Sequence, residues 1–389
     1  MKITLKVKNL LIYLLSGYVL ATLLQNYYSV YIHLLLFIAC IFTSRCYNRK
    51  IARVLIVGVS TCLLFVLFAI FKGTFDPMTQ VGVFLHYLTW PILFLLYKDR
   101  LSVTEKKNYI NYIIGICIVN NILSLKVLFE NREISRLLAG AATLAQRQEY
   151  FGKGVGGYGH VYAMVFFTIA ALYWFLSTKD KMEKLFLFLF LITNYMFILF
   201  SSYTTAILLT LILTVFAFTM KTESMKATII FSVIVLIILL FGSELLNVGI
   251  NIANALQLNF VAKHLSQLQA LQNASDYLTL RRSYFYTISW ESFKSNPFTG
   301  GMSAGGHSHL LDCLAKMGVF GLSFFVCLYI FEKNCTDRSF PKPYFEMYLI
   351  FFIFTCIDTC EVAQLPLVLF FVCPMVFTLI NSEEELSHV

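Results

Sequence analysis

An all-α, polytopic integral membrane protein is the fold this sequence predicts, with about twelve transmembrane helices and two long loops on the outer face. Three observations predict it. Hydrophobic residues make up 59% of the 389 and charged ones 13%, and the mean hydropathy is +0.75, which excludes an ordinary soluble domain. The apolar residues gather into segments near the length that crosses ~30 Å of hydrocarbon. The cations gather between alternate segments, as orientation in a membrane requires.

Taken in order, the predicted segments are 9–24, 28–43, 53–72, 80–97, 108–128, 156–177, 184–200, 203–220, 226–247, 308–331, 343–360 and 363–380. Lys2, Lys6 and Lys8 precede the first, which reads as an uncleaved anchor: a basic start, an apolar run and no A-x-A-like exit. Arg45, Arg49, Lys50 and Arg53 separate the second from the third, and Lys98, Arg100, Lys106 and Lys107 the fourth from the fifth. Lys179, Lys181 and Lys184 follow the sixth, Lys221 and Lys226 the eighth, and Lys333, Arg338 and Lys342 the tenth. With the N-terminus inside, these inner turns hold nineteen of the 30 cations, whereas the short outer turns hold almost none, Lys72 being the exception. Both termini are then cytoplasmic. The net charge of +9 follows from this topology and gives no reason to expect nucleic acid.

Cysteine usage points the same way. Cys40, Cys62, Cys117, Cys313, Cys327, Cys356, Cys360 and Cys373 lie in or beside apolar segments, and neither long outer loop carries one. Disulfides are not expected. No CxxC pair occurs, and no metal site is predicted.

Within this single membrane domain of residues 1–389, only two connections are long, 129–155 and 248–306, and both fall outside. Long connections are functional or disordered. The second has helical patterning: Leu256, Phe260, His264 and Leu268 repeat every four residues, and so do Leu280, Tyr284 and Ile288 before Asn296-Pro297 stops the run. It reads as two interfacial helices, with Tyr284, Tyr286 and Trp290 at headgroup level.

The candidate site residues lie in these loops. Arg281 and Arg282 open the second of those helices, and Arg282 shares a face with Tyr286 four residues on. A guanidinium forks onto two oxygens and suits a pyrophosphate, although an arginine at a membrane edge also serves as a lipid anchor. His307 follows Gly305-Gly306, which would let backbone approach a ligand, and precedes Ser308, an N-cap type at the mouth of segment 308–331. A helix N-terminus there would present N–H groups to an anion. His309, Asp312 and Lys316 read as structural pairs on a buried face. Arg136, Arg147 and His160 are weaker candidates, the last inside GKGVGGYGHVYA, whose glycines also suit close helix packing. Glu346 and Asp358 stand in or at the end of an apolar segment, where pairing within the bundle is the expected state.

These residues resemble the bacterial O-antigen polymerase and O-antigen ligase superfamily, polytopic enzymes of the inner membrane. The stretch Arg282–Gly301 is similar to the family's Arg, aromatic, Asn-Pro-x-x-Gly-x pattern. His307-Ser308, Leu311, Leu314, Gly318 and Gly321 are similar to its His-Asn-x-x-Leu-x-x-Leu-x-x-x-Gly-x-x-Gly run, with Ser308 where Asn is common. Arg147 and GVGGYGHVYA resemble the loop before the family's middle helices, with His160 where Asn is frequent. Together the motifs cover roughly a fifth of the chain.

The resemblance implies a glycosyltransferase, independent of metal or other cofactor, that takes undecaprenyl-pyrophosphate-linked saccharides as partners at the periplasmic face, among membrane lipids. A polymerase would join repeat units into an O-antigen or capsule and could work with a chain-length regulator. A ligase would pass the finished chain to the lipid A core. Ligases carry an arginine just after the seventh span, and here Ser201-Ser202-Tyr203-Thr204-Thr205 has none. That departure favours the polymerase and leaves the ligase open, since Arg147 or Arg136 could supply the charge. On this reading His307 is the base, and Arg282 with Arg281 or Arg147 stabilises the leaving pyrophosphate. Arg136, Ser308 and Tyr286 would line the substrate. A transporter or flippase is the reading from another class, and the cations in the loops argue against it, since transporters bind near the midplane.

Overall fold

Helix starts follow the capping chemistry of the sequence. Asn48 Oδ1 accepts from Ile51 N at 2.9 Å, Asp180 Oδ1 accepts from Met182 N at 2.9 Å, and Ser102 and Thr143 form capping boxes with Glu105 and Gln146. The structure, a computed structural model, describes residues 7–44, 48–74, 77–132, 134–140, 142–221, 242–259, 261–263, 265–266, 269, 279–301, 303–336, 342–360 and 362–387.

All regular structure among the described residues is helical. The first ten helices are α1 (Val7–Leu20), α2 (Val30–Ser44), α3 (Arg49–Phe71), α4 (Pro77–Tyr97), α5 (Val103–Glu130), α6 (Ile134–Gly140), α7 (Leu144–Gly152), α8 (Tyr158–Ser177), α9 (Lys181–Phe200) and α10 (Thr204–Lys221). Then come α11 (Gly242–Ala255), α12 (Thr279–Ser295), α13 (His309–Met317), α14 (Ser323–Cys335), α15 (Lys342–Ile357), α16 (Gln364–Leu367) and α17 (Cys373–Ser387).

Among the described residues six helices are long and apolar enough to cross a membrane: Arg49–Phe71, Val103–Glu130, Tyr158–Ser177, Lys181–Phe200, His309–Cys335 and Gln364–Ser382. The apolar helices Asn9–Leu20, Val30–Ser44, Val81–Tyr97, Thr204–Phe218 and Met347–Ile357 are shorter. Several boundaries therefore differ from the sequence reading. The first segment stops at Leu20, because the chain tightens into a 3₁₀ turn over Thr22–Tyr27. The ninth, 226–247, lies outside the described residues up to 241, and its end belongs to α11, which runs on past 248 into the second loop. The tenth is a composite in which a 3₁₀ turn, Gly318–Leu322, joins α13 to α14.

Burial shows which helices are central. α8 is buried along nearly its whole length and packs against α9, α10, α15 and the α16–α17 segment, itself buried. The outer helices expose apolar faces: Ile56, Leu63, Leu67 and Ile70 of α3, spaced to share one side of the helix, are each more than half exposed. Such a stripe in water would be an aggregation hazard, and in hydrocarbon it is neutral.

One chain of buried polar groups links three of the helices. Asn121 Nδ2 donates to Asn194 Oδ1 at 3.3 Å, and Asn194 Nδ2 donates to Thr168 Oγ1 at 2.8 Å. Asn121 Oδ1 is left to accept from His160 Nε2 at 3.2 Å, so the network fixes one tautomer of a histidine that is 1% exposed. His160 is thus a core residue joining α5, α8 and α9. The glycines of GKGVGGYGHVYA serve packing too: a β-carbon on Gly159 would collide with Gln364, and one on Gly156 with His160.

Contacts also define one end of the bundle, the loop end. There the end of α3 meets 300–301 and 316, Tyr203 OH donates to Ser135 O at 2.7 Å, and Tyr158 OH donates to Thr359 O at 2.7 Å.

Candidate functional site

The two halves of the motif run, 282–301 and 307–321, fold against each other as a hairpin of α12 and α13. Serines on α12 hold the return strand: Ser289 Oγ accepts from Gly305 N at 2.8 Å and Ser292 Oγ accepts from Ser303 N at 3.2 Å. Ser289 Oγ donates in turn to Asp312 Oδ1 at 2.7 Å, and Gly306 N donates to the same oxygen at 3.1 Å. Asp312 therefore ties the strand to α13.

At Gly305 and Gly318 the absence of a side chain admits another stretch of backbone. A β-carbon at Gly305 would run into the Phe285 carbonyl. At Gly318, with φ +61°, it would meet the Pro297 and Phe298 carbonyl oxygens, and Val319 N donates to Pro297 O at 2.8 Å. Gly306, at φ +78°, faces open space.

Ser308 caps α13 as its residue type predicts, accepting from Leu311 N at 3.2 Å. His309 N donates to Asp358 O at 3.2 Å, so the first turn of α13 is largely satisfied from within the protein, and the expected set of free N–H groups is reduced. The two neighbouring histidines part company here. His309, 4% exposed, lies against Phe324 with ring centroids 4.6 Å apart and has Nε2 3.6 Å from Cys313 Sγ. His307 is half-buried and packs on Phe285, centroids 4.5 Å apart.

A cavity of about 240 Å³ opens beside α13. Phe65, Phe68, Phe84 and Phe324 give it apolar walls, and Lys72, His309, Asp312 and Lys316 add polar groups. Lys72 also explains the one cation in a short outer turn. Its ammonium donates to Gly300 O at 2.8 Å, Gly301 O at 2.7 Å and Lys316 O at 2.6 Å, strapping α3 to both halves of the hairpin. Partial burial lowers its pKa from the ordinary lysine value.

The end of α15 packs against the hairpin. Asp358, 7% exposed, accepts from Tyr162 OH at 3.3 Å and from Thr359 N at 2.9 Å. Tyr286 OH donates to Ile357 O at 2.9 Å, which ties this partly buried tyrosine to the end of α15, while Tyr284 and Trp290 are exposed. The rings of Tyr158 and Tyr162 are 4.6 Å apart, and Tyr203 lies 5.9 Å and 6.1 Å from them. The carboxylate and the rings form a buried cluster, with Tyr162 1% and Tyr203 6% exposed.

The structure thus brings His307, Ser308 and Tyr286 to the same end as Asp358, which pairs within the bundle as its place in an apolar segment predicts, and as Tyr158, Tyr162 and Tyr203. The backbone of Arg281 and Arg282 lies in the first turn of α12, ahead of Phe285 and Tyr286, and their side chains lie outside the described residues. Arg136 lies in α6, its side chain likewise outside them. Arg147 is exposed on α7, which packs against Thr22–Tyr27 and α6, whereas α12 packs against α13. Glu346 also lies in a helix with its side chain outside the described residues. Among the described residues no group of three His, Cys, Asp or Glu could hold a metal, and none of the nine described cysteines forms a disulfide.

No family model, no curated protein and no solved structure matches this chain.

Proposed function

We propose that this protein is a membrane glycosyltransferase that polymerises polyprenyl-pyrophosphate-linked oligosaccharide units at the periplasmic face of a bacterial inner membrane. The observation that carries the reading is the hairpin itself. Two separated stretches that resemble the polymerase and ligase superfamily pack on each other and set a half-buried histidine near a carboxylate, three tyrosines and an apolar cavity. The reading takes the loop end as the outer end, with about twelve spans below it.

In the reaction, an acceptor hydroxyl attacks the anomeric carbon of the donor. The new glycosidic C–O bond forms as the bond to the pyrophosphate oxygen breaks, and the electron pair leaves with undecaprenyl pyrophosphate. His307 takes the hydroxyl proton, worth ~10²–10⁴-fold. His309 is the poorer base, because it is buried and its main chain is pinned to Asp358. Asp358 orients acceptor hydroxyls, and Arg282, at the start of α12, meets the developing pyrophosphate charge. The cavity walled by Phe65, Phe68, Phe84 and Phe324 receives an apolar part of the lipid-linked substrate.

One observation supports a ligase as the second reading. Ser201–Thr205 lacks the arginine of that motif, yet the Arg132 guanidinium lies 3.9 Å from the Phe200 ring centroid beside this turn. Deletion separates the two. Without a polymerase, cells still place single repeat units on the surface acceptor. Without a ligase, long chains collect on undecaprenyl pyrophosphate. Normal polymer in both places eliminates both readings.

A further inference from the structure

We propose that Arg132 is an anion site at the loop end, taking a phosphate-bearing group. Its guanidinium lies against two neighbouring rings: Cζ is 3.9 Å from the centroid of Phe200 and 5.2 Å from that of Phe129, and the rings are 5.0 Å apart. Stacking of this kind costs an arginine its freedom and leaves its N–H edges unused. Nε and Nη1 are both buried, and neither has an acceptor. Each of the two forks of a guanidinium combines Nη2 with one of these nitrogens, so neither fork has its pair of acceptors. The group cannot shed its charge, and a buried donor without a partner is costly. Anions with paired oxygens match that vacancy, and phosphate and pyrophosphate are the commonest that do.

The surroundings add to this. Ser202 is held in the left-handed region, φ +61°, with its hydroxyl donating to Arg132 O at 3.4 Å. A non-glycine residue there is strained, and such strain gathers at ligand sites. Two residues on, Thr204 opens α10 with a buried hydroxyl that has no partner, and the helix start adds partial positive charge. Tyr203, between them, has its ring near Tyr158 and Tyr162, and Tyr162 donates to Asp358. Arg132 therefore stands at one end of a tyrosine-lined arc whose other end is Asp358, the residue that holds the start of α13.

Two sources could supply this chemistry, and they can be told apart. One is the pyrophosphate of an isoprenoid-linked donor, which rests on the function proposed above. The other is the phosphate of an ordinary phospholipid. The full-length protein in phosphatidylcholine nanodiscs would be titrated with inorganic pyrophosphate by calorimetry, and phospholipid carried through detergent purification would be counted by native mass spectrometry. Arg132→Gln should weaken pyrophosphate binding by about tenfold or more, the loss of one charge-assisted contact. Arg132→Lys should be nearly as weak, since an ammonium neither forks nor stacks flat, and it decides the matter if the glutamine variant does not fold. Lys153→Gln, which removes an exposed pair with Glu149 and a contact with the Tyr150 ring, should bind as the parent does. Unchanged pyrophosphate affinity with one phospholipid fewer in the Arg132 variants would assign the site to a lipid headgroup. Unchanged values in both measurements overturn the site. Neither measurement needs polymer, so a failure of the polymerase reading leaves this result standing. Conversely, polymer growth in a parent whose Arg132→Gln variant binds pyrophosphate and lipid normally removes the site alone.

Discussion

Lys72→Met tests how the hairpin is held. Methionine keeps an apolar stem of similar length against the cavity and removes the ammonium. Three contacts at 2.6–2.8 Å disappear, to Gly300 O, Gly301 O and Lys316 O. A hydrogen bond to a charged group is worth about 1.5–3 kcal/mol net, and three sharing one partly exposed ammonium will not add in full. An expected loss is about 2–4 kcal/mol, taken from the hairpin and not from the bundle core. The assay is thermal unfolding in detergent, followed by size-exclusion of a fluorescent fusion, together with labelling of Cys313 by a membrane-impermeant thiol reagent. Cys313 is 4% exposed and lines the cavity beside the strap. The variant should unfold at lower temperature and label faster at Cys313, and Lys72→Arg should fall between, because a planar fork cannot meet three carbonyls at once. If Lys72→Met matches the parent in both measurements, the strap does not hold the hairpin.

Three further outcomes are expected. His307→Ala should abolish chain growth at normal protein level in the membrane, with His309→Ala showing reduced accumulation first, since it removes a buried ring packed on Phe324; polymer length on a gel reads both, and a fully active His307→Ala excludes that residue as the base. Gly305→Ala should cost stability, on the order of 1–3 kcal/mol, because its β-carbon meets backbone at Phe285 that cannot swing aside, whereas Gly306→Ala pays only for its φ; equal unfolding temperatures for Gly305→Ala and the parent would contradict the close approach. A reporter active only outside the cytoplasm should be active when fused after Asn273 and silent after Lys181, and the reverse pattern would move the whole site to the cytosol.

Much of the molecule follows from local chemistry. Apolar runs between basic turns give helices with lipid-compatible faces whatever their neighbours, and Ile56, Leu63, Leu67 and Ile70 show it on α3. Asn48, Ser102, Thr143, Asp180 and Ser308 start helices because a short polar side chain reaches its own backbone. The hairpin stop at Asn296-Pro297 is equally local. The sequence by itself therefore determined the helical class and most helix starts.

Tertiary structure decided what each polar group does. Lys72 and Gly300, Tyr162 and Asp358, and Arg132 and Phe200 are partners separated by long stretches of chain, and no spacing rule connects them. The motif glycines carried the same ambiguity: a residue without a β-carbon admits either a ligand or another backbone, and only the position of Phe285 and Pro297 chose backbone. The two histidines differ for a related reason. They are two residues apart, but the Ser308 cap and the Asp358 carbonyl fix the register of α13, which turns His309 onto Phe324 and leaves His307 on Phe285 at the rim. Sequence sets which side chains are able to hydrogen-bond or bear charge; packing across the bundle sets which of them still have a donor or an oxygen to offer.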